Sequence, residues 1–216
     1  MDELEEKNWE LMDKLTALDF LKTRSIIDAF KETPRHHFVL RGYQHYAYED
    51  SPLPIVNSAT ISEPKTVAYM LELLQAKKGE NILEIGTGSG WVACLLSRCV
   101  GDSGKVTTIE IEKEVFEFAS KNIEKLKPKN VDNILGDGSI GYEKNAPYDK
   151  IIYSVAAPEI PIQVIKQLKV KGRLIAPVGT KTMQRMKIID RVSDKKIEEK
   201  TGDPFQFTEL KGELGF

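Results

Sequence analysis

The chain has 216 residues, enough for one α/β domain with a sizeable core and short of what two full domains require. Its formal net charge of −2, with 30% charged residues, gives no compositional support for long-range attraction to nucleic acid or an anionic membrane. No apolar run approaches the roughly 20 residues needed to span a bilayer, and the N-terminal run Met1-Asp2-Glu3-Leu4-Glu5-Glu6 is acidic where a secretory signal is basic, so a cytoplasmic protein is expected.

Residues 3–33 read as two helices, because Leu4, Leu11, Leu15 and Leu18, then Ile26, Ile27 and Phe30, recur at helical spacing before Pro34 breaks it. Turn formers dominate 46–62, and Pro64 then opens an apolar-periodic helix to about residue 74, proline being tolerated at the first helical position. A serine just before such a helix commonly caps it, so Ser62 has a structural role open to it beside any chemical one.

The run Asn81-Ile82-Leu83-Glu84-Ile85-Gly86-Thr87-Gly88-Ser89-Gly90-Trp91 is the most informative: an apolar strand ends in an acid and a glycine-rich turn that opens a helix. Gly86, Gly88 and Gly90 let the backbone turn sharply and come close to a nucleotide. A dinucleotide fingerprint requires Gly-x-Gly-x-x-Gly/Ala, whereas the third glycine here comes one residue early and Trp91 stands in its place. A second β-rich run, Val106-Thr107-Thr108-Ile109-Glu110, ends in a carboxylate 20 residues beyond Gly90, where an acid accepts ribose hydroxyls. A third, over 131–135, runs into Gly136-Asp137-Gly138. Three consecutive strands thus carry Glu84, Glu110 and Asp137 to one sheet edge, the edge at which open α/β sheets bind ligands. With no Lys or Arg in the glycine turn, the pocket suits a phosphate-free, positively charged ligand, a description that S-adenosylmethionine fits.

Further strands are expected over 148–155, 173–178 and 183–192, with a helix over 159–168 and a final strand at Phe205-Gln206-Phe207-Thr208. The alternation implies a mostly parallel, doubly wound α/β sheet of the class I methyltransferase type, preceded by N-terminal helices. Cys94 and Cys99 lie five apart on the helix after the glycine turn and are expected to be reduced core thiols. His36, His37 and His45 show no zinc-like spacing with them, and no metal site is expected. One domain is expected over 1–216: helices and substrate loop to 76, a cofactor core over 77–192 and an extension over 193–216.

At Tyr48-Glu49-Asp50-Ser51-Pro52-Leu53-Pro54-Ile55 and Ala59-Thr60-Ile61-Ser62-Glu63-Pro64 the chain resembles the protein-L-isoaspartate (D-aspartate) O-methyltransferase family. The glycine turn, Gly136-Asp137-Gly138 with Gly141, Ala146-Pro147-Tyr148-Asp149, Ala156-Ala157-Pro158 and Pro177-Val178-Gly179 extend the resemblance over about residues 20–190. It implies S-adenosyl-L-methionine as cofactor, isoaspartate-containing proteins and peptides as substrates, and no nucleic acid or membrane partner. It also implies Ser62 as the active-site residue, with Ala59, Thr60, Ile61, Glu84, Glu110, Asp137 and Gly138 contacting the cofactor. The chain departs from the family at Val56-Asn57-Ser58, where glycine and glutamine are usual, and at Phe207-Thr208-Glu209-Leu210, where Phe-Val-Pro-Leu is usual. The alternatives are a methyltransferase of this fold acting on another carboxylate, peptide or nucleic acid, and a cofactor-binding protein without turnover. No base is expected, because a carboxylate acceptor is already ionised at neutral pH.

Overall fold

A computed structural model describes residues 3–216; Met1 and Asp2, which begin the acidic N-terminal run, lie outside the described residues. The N-terminal third holds helices α1 (Glu3–Ala17) and α2 (Arg24–Glu32), a short hairpin of β1 (Leu53–Pro54) against β2 (Thr60–Ile61), and helix α3 (Pro64–Leu74). The rest alternates: β3 (Asn81–Ile85), α4 (Trp91–Val100), β4 (Lys105–Glu110), α5 (Lys113–Leu126), β5 (Val131–Leu135), β6 (Tyr148–Tyr153), α6 (Ile162–Gln167), β7 (Leu168–Gly179), β8 (Gln184–Ser193) and β9 (Lys196–Phe205).

Seven strands form one sheet in the order β5-β4-β3-β6-β7-β8-β9, with the first five parallel and the last two antiparallel. Helices cover both faces, which is why β3 reads as a nearly unbroken apolar run and not as an alternating one. The chain steps outward from β3 to β4 and β5, then returns across β3 to begin β6 on its other side. That reversal leaves a crevice at the carboxyl ends of the strands beside β3. Both cysteines are free and buried in the core packed around α4.

The expected helix over 159–168 is shorter, spanning Ile162–Gln167, because Pro161 holds Ile160 out of helical geometry and the helix starts only after it. The final strand is Lys196–Phe205, not 205–208; its exposed, charge-rich faces hide the alternation by which sheet strands are recognised. Residues 207–210 instead cross the carboxyl end of β6, where the Ala156 and Leu210 amides donate to Thr208 O and Ala156 O at 2.8 and 2.7 Å.

One acid ties the helical preface to α3 beyond its apolar packing. Glu72 on α3 accepts the Lys22 and Thr23 amides at 2.8 Å each and the Thr23 hydroxyl at 2.7 Å, pinning the α1–α2 turn. Replacing Glu72 with Ala is expected to lower stability by about 1–3 kcal/mol, the range for losing hydrogen bonds to a charged acceptor. Denaturant melts check this, with the far-UV spectrum of the native state unchanged.

Candidate active site

The crevice holds a cavity of about 470 Å³. Ala59, Thr60, Ile61 and Ser62 line one wall, Glu84, Gly86 and Gly88 the floor, and Glu110 and Gly138 the far side. Gly90 and Asp137 stand behind that lining. Glu112, Ser154 and Lys181, which the sequence did not single out, also line it, together with Asn57 of the 56–58 loop and residues 206–211 of the tail, the two segments where the chain departs from the family pattern.

The glycine turn is shaped by steric need at two points. Gly86 has φ +88° and a Cβ there would stand 2.6 Å from Val155 Cγ1; Gly90 has φ +84° and its Cβ would meet Ile123 Cγ1 at 2.9 Å. Neither site admits a side chain, and Gly90 thereby lets α5 pack against the start of α4.

Glu84, at the end of β3, is 0% exposed. Burial pushes its carboxyl up to about 8, against the opposing pull of hydrogen bonds from Thr108 and Ser154 at 2.7 and 2.8 Å, while nearby Glu110 adds to the rise. The acid is therefore mainly neutral at pH 7. Thr108 Oγ1 stands 2.7 Å from both Glu84 Oε2 and Thr87 Oγ1 but carries one proton. Thr87 Oγ1 also lies 3.3 Å from Asn133 Oδ1, and Asn133 donates to Ser120 Oγ at 2.9 Å. Thr108 donates to Glu84 Oε2, and the Thr87 proton is shared between Thr108 Oγ1 and Asn133 Oδ1.

Glu110, at the end of β4, is held differently. Its Oε2 accepts the Gly88 amide at 3.0 Å, and its Oε1 accepts the Ile111 and Glu112 amides at 3.0 and 3.1 Å. Burial raises its pKa, and these three amides oppose the rise. The carboxylate is thus tied to the glycine turn and fixed at the cavity rim, where it can accept hydroxyl donors from a ligand.

Ser62 does not cap α3. Glu63 is the capping residue, with its own side chain taken by the Thr66 hydroxyl at 2.6 Å, and the Asp50 carboxylate accepts the Lys65 amide at 2.9 Å in the first turn. Among the described residues the Ser62 hydroxyl has no hydrogen-bond partner, and it lines the cavity.

The departure at 56–58 is conformational. Asn57 and Ser58 both take left-handed backbone, φ +52° and +58°, a geometry that asparagine tolerates better than most residues. Asn57 Nδ2 then reaches Glu112 Oε2 at 2.9 Å, and Glu112 Oε1 accepts Lys211 Nζ at 2.7 Å. One partly exposed carboxylate so ties the hairpin turn to the C-terminal segment across the cavity mouth, and Lys211 draws its pKa below the ordinary value. Further along, Asp137 accepts the Ser139 and Glu213 amides at 2.8 Å each, and the Leu214 amide donates to Ser139 Oγ at 3.0 Å. The strand-end acid expected to face a ligand thus anchors the tail that walls the site.

Residues 6–214 match the model of the family described as protein-L-isoaspartate(D-aspartate) O-methyltransferase. Similar chains include protein-L-isoaspartate O-methyltransferase 2 of Archaeoglobus fulgidus, 42% identical with 98% of this chain and 96% of the relative covered. The enzyme of that name from Pyrococcus horikoshii is 43% identical over 99% and 97%. Among solved structures, a protein-L-isoaspartate O-methyltransferase superposes with a TM-score of 0.89 at 32% identity, over 96% of this chain and 67% of that one. A Plasmodium falciparum structure described as a putative member in complex with S-adenosyl-L-homocysteine shares the fold, with a TM-score of 0.85 at 21% identity over 98% and 99% of the two chains.

Because the Glu84 carboxyl titrates near 8 when folded against an ordinary 4.5, the ligand-free native state binds more protons than the unfolded chain between those values. The stability associated with this group is present below about pH 4.5 and is lost as pH rises through about 8. Glu84→Gln, which keeps the shape without the titration, is expected to match wild type near pH 5 and to exceed it by up to a few kcal/mol near pH 8.5, at about 1.4 kcal/mol per pKa unit. Thermal melts of the two ligand-free proteins across that range check it; a constant offset contradicts it.

Proposed function

The chain belongs to the protein-L-isoaspartate(D-aspartate) O-methyltransferase family, and from that premise we propose which of its atoms perform the reaction. The enzyme methylates the free α-carboxylate of L-isoaspartyl residues in damaged proteins and peptides, with S-adenosyl-L-methionine as methyl donor. The site fits that cofactor: a glycine turn without cations, a buried acid with no positive partner among the described residues, and a fixed rim carboxylate line one cavity.

In the proposal Glu110 accepts the ribose hydroxyls, the turn at Gly86, Gly88 and Gly90 admits the cofactor to close backbone contact, and Ala59, Thr60, Ile61 and Gly138 pack around it. Glu84 would lie toward the cofactor's ammonium and on binding would release its proton to solvent, with Thr108 and Ser154 donating to its carboxylate oxygens. Asp137 acts from behind, by holding the tail. When bound, S-adenosylmethionine supplies an electrophilic methyl group on a sulfonium.

Ser62 receives the acceptor. Its hydroxyl donates to one oxygen of the isoaspartyl carboxylate and so orients the other toward the methyl group. The observation that carries this is the Ser62 hydroxyl itself, which lines the cofactor cavity and makes no hydrogen bond among the described residues. No base is needed, since an α-carboxyl with a reference pKa of about 3.3–3.7 is already ionised. The catalytic contribution is alignment, worth up to about 7–11 kcal/mol in well-oriented systems.

We further assign protein and peptide substrates in preference to nucleic acid, because the two lysines at the mouth are each paired with an acid, Lys181 with Glu209 and Lys211 with Glu112. A cytoplasmic setting suits the two free buried thiols. No described helix is long and apolar enough to cross a membrane. The division into substrate loop, cofactor core and C-terminal extension is retained, with the extension completing the site.

Glu110→Ala is expected to weaken S-adenosylmethionine binding by about 1–3 kcal/mol, read by calorimetry. Unchanged affinity in the folded variant would remove Glu110 from the ribose site. Wild-type protein is expected to form a base-labile ester on an isoaspartyl peptide and not on its aspartyl isomer, since an acceptor displaced by about 1 Å loses on the order of 100-fold in rate. Ser62→Ala should lower turnover on the same peptide with cofactor affinity preserved. Equal labelling of both isomers would overturn the proposed acceptor geometry.

A further inference from the structure

Arg35 follows α2 and is 1% exposed, although arginine is rarely buried without an ionic partner. Among the described residues no carboxylate lies within ion-pair distance; Asp50, Tyr48 and Glu63 face it from further away. Burial pulls its pKa down to about 10, so the guanidinium stays charged at neutral pH. What it holds is backbone. Nη1 donates to Ala47 O at 2.7 Å, and Nη2 to Ser51 O at 3.0 Å, Ser62 O at 3.0 Å and Ile61 O at 3.4 Å. The guanidinium carbon also lies 5.6 Å from the ring centroid of Trp91, the first residue of α4 and part of the cavity wall. Trp91 Nε1 in turn donates to Thr33 O at 3.0 Å.

Successive carbonyls of an extended strand point to opposite sides. For Ile61 O and Ser62 O to meet one nitrogen, the chain must leave β2 at that point, and the orientation of the Ser62 peptide is thereby set. The other two acceptors lie on the approach to the hairpin, so one planar group grips the segment before β1 and the end of β2 together. An apolar side chain would fill this volume without the desolvation of an unpaired cation. The convergence of carbonyls from the acceptor loop explains its presence.

We propose that Arg35 is a positioning residue for methyl transfer: through the Ile61 and Ser62 carbonyls it aims the Ser62 hydroxyl at the acceptor carboxylate, and through Trp91 it sets that hydroxyl against the cofactor pocket. The proposal rests on the reading of Ser62 as the acceptor contact. Lysine cannot substitute, because its donors radiate from a single nitrogen and lack the planar fork that reaches carbonyls on two sides.

The test compares Arg35→Lys, Ser62→Ala and the double variant on an isoaspartyl peptide, with S-adenosylmethionine affinity measured by calorimetry. Arg35→Lys is expected to lower kcat by about 10- to 100-fold, the scale of a small misalignment, with the KM and Kd of the cofactor unchanged. In the Ser62→Ala background it should add little, as coupled residues do. Normal turnover in folded Arg35→Lys, loss of cofactor affinity in step with kcat, or losses that multiply in the double variant would each overturn the proposal while Ser62→Ala alone stays slow. Normal turnover in Ser62→Ala would instead remove the Ser62 reading and this inference with it. If the Arg35 variants do not fold, arginine-labelled wild type decides. Its buried guanidinium resonances should shift when the isoaspartyl peptide is added to the protein saturated with S-adenosylhomocysteine, and their silence would overturn the proposal.

Discussion

The carboxyl of Glu84 is buried at the centre of a parallel sheet with hydroxyls around it and, among the described residues, no cation paired with it, and the site is organised around that constraint. A parallel sheet covered on both faces allows little water near the end of its middle strand, so an acid there is neutral until a positive ligand arrives. The surrounding hydroxyls are suited to the charged state, since Thr108 donates to one carboxyl oxygen and Ser154 to the other. The same desolvation that disfavours the empty, ionised site favours a ligand carrying its own cation, because charge interactions strengthen where water is excluded.

Around that floor the walls are fastened by polar contacts to backbone as well as by apolar packing. Gly88 donates to Glu110, which joins the turn after β3 to the end of β4; Arg35 grips carbonyls of the acceptor loop; Asp137 and Ser139 take amides of the tail. Hydrogen bonds to main chain fix direction as well as distance, which apolar contacts do not. The end of the hairpin, the glycine turn and the tail, which wall the cavity, are the segments so held.

Much of this was legible from the chain because it is local. The glycine turn, the acids closing β3 and β4 and the proline-initiated α3 lie within single elements whose periodicity or punctuation announces them, and the parallel core followed. What escaped depends on partners remote in sequence. Asn57 meets Glu112 across 55 positions, Glu112 meets Lys211 across 99, and Arg35 meets Ser62 across 27. Nothing in the run Pro34-Arg35-His36-His37 marks its arginine as buried, since burial comes from the hairpin that folds over it. Ser62 shows the same limit from the other side: serine before a proline-initiated helix is an ordinary cap, and only the position of Asp50 and Glu63 frees its hydroxyl.

The tail carries the comparison furthest. An acid after the third strand invites assignment to the ligand, yet a turn aspartate also offers two oxygens to any amide that comes near, and the amides of Ser139 and Glu213 take them. The approach is so close that a Cβ on Gly212 would stand 2.1 Å from Asp137 Oδ1, so glycine is required where the chain crosses. Residues 206–211 are thereby laid along the cavity, with Thr208 and Leu210 paired to Ala156 and Lys211 latched to Glu112. The segment over 207–210 is therefore a wall of the cavity, and the Glu209–Lys181 pair stands in that wall. Variation in that wall changes the mouth of the cavity and leaves the buried acid and the glycine turn at its floor unchanged.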